Sequence, residues 1–178
     1  MKRKNISLII SCLILGIMAL AAIFCKQICP YDPNAQDLTS SFIPPFSQGH
    51  ILGTDNLGRD ILCRIIYGAR ISLFVGIVGT VIGFAVGVAL GIVSGYFGGI
   101  IDTVIMRVGD IQLAFPFTLL AIAIIAVLGA GVKNIIIVAV ITGWIKYARV
   151  VRSDVLAVKK MEYIQACKSL GLSHLRIM

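Results

Sequence analysis

Few residues in this chain are equipped for chemistry, and their spacing limits what that chemistry can be. Two histidines, His50 and His174, and the membrane-proximal acids Asp102 and Asp110 are the candidates for acid, base or ligand work. Neither His-Glu-x-x-His nor Gly-x-Ser-x-Gly occurs, so no metalloprotease or serine-hydrolase pattern organises them. Asp55 and Asp60 sit in a turn-rich stretch, but the alternating acidic ligands and terminal Glu of a calcium loop are missing. Cys12, Cys25, Cys29, Cys63 and Cys167 lack the paired Cys and His spacing of a zinc or redox site and read as small hydrophobes. Cys25 and Cys29 bracket a turn that an oxidising compartment could close, but nothing else in the chain resembles a disulfide framework. No Gly-x-x-x-x-Gly-Lys-Ser/Thr loop is present to cradle a nucleotide. These residues predict no catalytic site and no metal site.

The elements that carry them are those of a membrane protein. Of 178 residues, 58% are hydrophobic and 13% charged, and the mean hydropathy is +0.99. An ordinary soluble domain is about 45–50% apolar and about 25% charged, so a soluble enzyme is excluded. At about 20 residues per span, four spans and one sizeable loop fill the length. The expected fold is an all-α polytopic helix bundle. Residues 1–25 form a first span, 26–70 an extracytoplasmic loop with an amphipathic lead-in, 71–152 the core helices two to four, and 153–178 a cytoplasmic segment.

Lys2, Arg3 and Lys4 precede the uncharged apolar run Ile6–Cys25, which reads as an uncleaved span with a cytoplasmic N-terminus. In the loop, Pro30, Pro33, Pro44 and Pro45 break any long helix, and four basic residues balance four acidic ones. The second span carries Gly79, Gly83, Gly87, Gly91 and Gly95, one per helical turn, a face without side chains that another helix can approach closely. The third span is expected over residues 112–131, with Pro116 as an internal kink. Asp102, Arg107 and Asp110 at its mouth form a candidate ionisable cluster for a translocation path, with Arg107 and Asp110 spaced to pair on one face. The fourth span runs from Lys133 to about Val151, with Trp144 and Tyr147 as interfacial anchors. The net charge of +8 is concentrated at the two ends, seven basic against two acidic residues lying beyond Ile145. That distribution marks cytoplasmic ends rather than a nucleic-acid surface, and two ends on one side require an even number of crossings.

Two motifs rise above composition. Gly53-Thr54-Asp55-Asn56-Leu57-Gly58-Arg59-Asp60 continues through Arg64, Gly68, Arg70 and Ser72 into the second span. Glu162-Tyr163-Ile164-Gln165-Ala166-Cys167 forms a short helix with Ile164 and Cys167 on one face, and Gly171 is placed to end it in a left-handed cap. Together with the glycine stripe and the Trp144, Tyr147, Ala148, Arg149, Arg152 series, these resemble the permease subunits of binding-protein-dependent ABC importers of the peptide and nickel family. The resemblance implies that residues 162–171 are the coupling segment, with Gln165 and Cys167 standing where the family's motif has Glu and Ala. It implies half of a translocation pathway in the inner membrane. The partners it implies are a second permease, two cytoplasmic ATPase subunits that bind the ATP, an extracytoplasmic solute-binding protein, and membrane lipid, with no nucleic acid. Family members continue through an Ile-x-Leu-Pro element and two more membrane helices, so the chain reads as a fragment of a six-span permease. Two other readings stand beside it: a membrane assembly protein that does not transport, and an intramembrane enzyme built on the His and Asp residues above.

Overall fold

The computed structural model describes residues 2–177, excluding the side chains of residues 2–5, 168, 175 and 177. The basic flank Lys2, Arg3 and Lys4 therefore lies outside the described side chains. Among the described residues the chain is helical, with two isolated bridges in the loop and no strand. The helices are α1 (Lys2–Ile23), α2 (Cys25–Ile28), α3 (Ile61–Phe97), α4 (Gly99–Ala114), α5 (Phe117–Leu128), α6 (Val132–Val158), α7 (Glu162–Ser169) and α8 (His174–Ile177). It is an all-α polytopic membrane bundle: α1, α3 and α6 are each long and apolar enough to cross, and the bent pair α4–α5 is the fourth candidate. The chain divides into two compact units, residues 1–74 and 75–178, and α3 contributes to both.

In the first unit, residues 6–18 of α1 are uncharged and exposed on every face, as a helix solvated by lipid would be. It ends in the single turn α2. The first unit's core is small: Cys25, Cys29, Cys63 and Ile66, flanked by Ala21, Leu62 and Tyr67.

The second unit is built on the glycine stripe. A Cβ added at Gly79 would meet Ala139, at Gly87 Tyr147 and Ala148, at Gly91 Ala148 and Val151, and at Gly95 Val155. The two helices advance together along these contacts, so α3 and α6 run parallel, and the helix that the stripe receives belongs to this chain. Parallel neighbours need a return between them. α4 supplies the first part of it, antiparallel to α6, with Asp102 against Arg152, Gly109 against Ile145 and Gln112 against Trp144.

The return is not one continuous helix over residues 112–131 but two helices broken at Pro116. α4 ends at Ala114, Phe115 and Pro116 are extended, and α5 leaves at 96° to α4. A proline ring disfavours helical backbone at the residue before it. Pro116 therefore caps a new helix instead of bending an old one. At about 1.5 Å per residue α5 is about 18 Å long, short of the roughly 30 Å hydrocarbon layer. Trp144 is likewise no interfacial anchor: it is 8% exposed, and its indole Nε1 donates to Gln112 Oε1 at 2.9 Å.

Candidate functional site

The loop motif of the first unit closes on itself. Gly53 and Gly58 adopt φ of +77° and +71°, the left-handed region that glycine enters without strain. Gly58 also lies so close to the Asp37 carbonyl that a Cβ would collide with it. Between them Thr54, 4% exposed, donates its hydroxyl to the Ser40 carbonyl and accepts the Ile43 N–H at 2.9 Å. Asp55 Oδ1 accepts the N–H groups of Leu57 and Arg59 at 2.9 and 3.0 Å, and Oδ2 accepts Arg59 Nε at 2.8 Å and Arg64 Nη1. Partial desolvation pushes the Asp55 carboxyl up, but the bonds from Arg59 and the backbone outweigh it and hold it well below the usual range.

Asp60 is the N-cap of α3, accepting the Cys63 N–H at 2.7 Å on Oδ1. Its Oδ2 lies 2.8 Å from His50 Nδ1, and the His50 ring is stacked at a tilt on Tyr31 with centroids 4.6 Å apart. Burial raises the Asp60 carboxyl, and the Cys63 and His50 bonds bring it below its ordinary value. Both carboxylates are thus engaged from within the loop and the first turn of α3. Arg70, farther along α3, donates to Cys25 Sγ at 3.4 Å, whereas Gly68 has open space around it.

In the second unit the polar residues gather where α3 ends and α4 begins. Arg152 Nε and Nη2 donate in parallel to Asp102 Oδ1 and Oδ2 at 2.5 and 2.6 Å, a two-pronged ion pair. The fully buried Ser94 donates its hydroxyl to the same carboxylate. Lys159 Nζ donates to the Tyr96 carbonyl at 2.5 Å, satisfying an acceptor that the end of α3 leaves open, and the Tyr96 hydroxyl lies 2.8 Å from His174 Nδ1. Asp110 pairs with Arg149 at 2.6 Å, both half-exposed, and not with Arg107. Arg107 is exposed, with no ion pair among the described residues. The three candidates for a translocation path thus part company: Asp102 ties α4 to α6 near the turn after α3, Asp110 makes an accessible pair, and Arg107 stands apart.

α7 hangs from this region by the turn at residues 159–161. Ile164 lines an apolar cleft of about 290 Å³ with Ile92, Val151, Val155 and Val158, and Cys167 is half-buried. Glu162, Tyr163, Gln165 and Ala166 are exposed. Gly171 takes φ +76°, and the Leu172 N–H reaches back to the Cys167 carbonyl, the six-residue closure of a left-handed helix cap. The result is a helix with one face seated and the other open.

Sequence reasoning missed Ser94, Gly109, Gln112 and Ile145. Ser94 interrupts the apolar α3, which was the available signal, whereas Gly109 and Gln112 lie in an α4 already broken by Asp102, Arg107 and Asp110, and the partners of all three lie 8 to 36 residues away in sequence. His50 and His174 are occupied in separate units, by Asp60 and by Tyr96. Among the described residues no group of three or more His, Cys, Asp or Glu is arranged to hold a metal ion.

Residues 87–178 match the family model described as binding-protein-dependent transport system inner membrane component, and residues 3–45 match the N-terminal transmembrane domain of oligopeptide transport permease C. The chain is 40% identical over 176 residues to the oligopeptide transport system permease protein OppC of Bacillus subtilis, covering 99% of this chain and 57% of that protein. It is 36% identical over 165 residues to the nickel transport system permease protein NikC of Escherichia coli K12, covering 93% and 59%. It is 44% identical over 163 residues to the glutathione transport system permease protein GsiD of Shigella flexneri, covering 91% and 54%. The chain therefore spans somewhat over half the length of these curated relatives.

Proposed function

The chain belongs to the inner membrane components of binding-protein-dependent transport systems, and from that premise we propose that it forms half of the translocation pathway of a peptide or nickel ABC importer. It is a transport subunit and not an enzyme. A second permease completes the pathway, an extracytoplasmic binding protein delivers and largely selects the cargo, and two cytoplasmic ATPases bind the ATP. The N-terminus and residues 153–178 lie in the cytoplasm, and the loop before α3 lies outside; the charge at both ends supports this orientation.

The observation that carries the mechanism is the two-faced α7. Its seated residue Ile164 touches the cleft between α3 and α6, while Glu162, Tyr163, Gln165 and Ala166 face out and are free to dock into a groove on the ATPase. Closure of the ATPases around nucleotide displaces α7, and the α3–α6 pair, packed closely along the glycine stripe, moves as a unit. Transport then needs a bundle with two arrangements whose balance the ATPases bias.

The test is reconstitution of the complete transporter in proteoliposomes. Uptake of a labelled dipeptide or of nickel is expected to require ATP, the ATPases and the binding protein together. Uptake without ATPases, or no ATPase association at all, overturns the proposal.

A further inference from the structure

We propose that Arg107, Asp110, Lys146 and Arg149 form a hydrated anion site on the open side of the α4–α6 seam, and that this site takes the terminal carboxylate of a peptide cargo. The inference rests on the transport reading and decides between its two cargo classes. A peptide carboxylate is received there, and a free divalent cation is repelled.

Each helix brings two charges one turn apart, so Arg107 shares a face of α4 with Asp110, and Lys146 shares a face of α6 with Arg149. The bond from Arg149 Nη2 to Asp110 Oδ1 at 2.6 Å puts both faces on the same side of the seam. Their height follows from the antiparallel packing. A Cβ on Gly109 would run into the Ile145 side chain. Arg107, two residues before Gly109, and Lys146, one after Ile145, therefore stand within about one residue's rise, ~1.5 Å, of each other. All four residues are exposed, the side chains of Asp110 and Arg149 by 50% and 49%. Neither Arg107 nor Lys146 has an ion pair among the described residues. One acid among three bases leaves two positive charges unmatched.

These charges lie at membrane depth. Trp144, Tyr147 and Ala148 meet Gly87 of α3, which is about 15 Å along the helix from Phe97, and α3 carries no charged residue from Ile71 to Phe97. Asp110 is about 12 Å along α4 from Asp102. Long basic side chains reach a headgroup layer by extending along a helix, but a carboxylate on so short a side chain does not. A half-exposed carboxylate against hydrocarbon is costly, so this side of the seam faces water. In a permease, water at that depth belongs to the translocation path. The Arg107 guanidinium presents two parallel donors to a carboxylate, Lys146 adds a point charge, and Asp110 fixes Arg149 beside them. A free divalent cation meets the same positive excess, and the one carboxylate is already engaged by Arg149.

The experiment uses the complete transporter in proteoliposomes with saturating binding protein, given a labelled dipeptide or the same dipeptide amidated at its C-terminus. Arg107→Gln and Lys146→Gln should each lower the ratio of acid to amide uptake by about tenfold while the amide rate holds. The binding protein's own preference cancels between wild type and variant. An unchanged ratio, or acid and amide rates that fall together, overturns the site. Uptake of nickel ions but not of the dipeptide also overturns it and leaves the transport reading in place, whereas no ATP-driven uptake of either removes both. A second measurement decides the matter if the binding protein refuses the amide. In membranes carrying the full chain with Lys146→Cys, modification of residue 146 is followed by mass spectrometry of its own peptide, so the native cysteines do not interfere. An anionic thiosulfonate should react at least about tenfold faster there than a cationic one, each rate taken relative to a free thiol in solution. Equal relative rates overturn the proposal. Modification only by a membrane-soluble maleimide also overturns it, because lipid then covers this face.

Discussion

A carboxylate that caps a helix and also holds a histidine gives its loop a pH dependence of predictable sign. In the folded loop Asp55 and Asp60 ionise below the ordinary value of 3.8, so the folded state binds fewer protons than the unfolded chain around that value. Their stabilisation is complete above the unfolded value and is lost as pH falls through the depressed folded ones. Hydrogen exchange should find peptides across residues 53–63 equally protected from about pH 7 to about pH 5, then progressively exposed below about pH 4. Arg59→Ala, which removes the chief donor to Asp55, should move that loss to higher pH. At the cap itself, Asp60→Ala should cost about 1 kcal/mol, whereas Asp60→Asn keeps an acceptor for the Cys63 N–H and loses less. At the other ion pair, Arg152→Lys should lower the melting temperature in detergent although the charge is kept, because lysine cannot supply two parallel donors to Asp102. An unchanged melting temperature would show that the fork contributes nothing. The sequence announced that Asp55, Asp60 and Asp102 were special but not why. Charge, cap and turn residues are local signals, while the partner of Asp102 lies 50 residues away and that of Asp110 lies 39 away. Proximity in sequence favoured Arg107 for Asp110, and tertiary packing overrode it.

At the scale of elements, the stripe in α3 offers a graded test, since its glycines do not meet α6 equally. At Gly83 the nearest atom to an added Cβ is 3.8 Å away, ordinary contact. At Gly87 the Tyr147 Cβ would be 2.7 Å away, and at Gly91 the Ala148 carbonyl would be at the same distance; neither is the far end of a flexible side chain. Gly83→Ala should therefore be neutral or slightly stabilising, given alanine's better helix propensity. Gly87→Ala and Gly91→Ala should each destabilise by about 1–3 kcal/mol through overpacking, and Gly87→Leu should reduce assembled protein outright. Thermal unfolding in detergent and yield of folded protein read both, and equal effects at Gly83 and Gly87 would refute the α3–α6 packing. The long elements were readable because an uninterrupted apolar run has one meaning at a given length. In the sequence Pro116 reads as a kink because proline in a membrane helix permits a bend or a break, and the neighbours that choose between them are not local. Trp144 reads as an anchor for a related reason. An amphipathic ring suits an interface or a buried donor equally well, and only the position of Gln112 decides.

For the whole molecule, transport and stability should separate at α7. Glu162 is exposed and has no ion pair among the described residues, so Glu162→Lys should cost only about 0.3–1 kcal/mol, that of a reversed charge at the first turn of α7, and leave the packing of the bundle intact. If the open face of α7 docks into the ATPase, the same substitution places a repelling or unmatched charge at the interface. In the complete transporter it should then reduce ATPase co-purification and substrate uptake together. Gly171→Val acts differently. No neighbour opposes a new side chain there, but φ +76° does, at about 1–2 kcal/mol for a residue with a Cβ. That strain should fray the C-terminal end of α7 and weaken coupling through loss of helix, visible as faster exchange across residues 168–172, whereas Glu162→Lys reverses the favourable charge at the helix N-terminus and loosens only the first turn. Two variants with one transport defect and opposite local signatures distinguish a docking face from a folding requirement. Normal ATPase co-purification and normal uptake with Glu162→Lys would remove α7 from the coupling path, leaving the Asp102–Arg152 junction as the next element through which α6 could be driven.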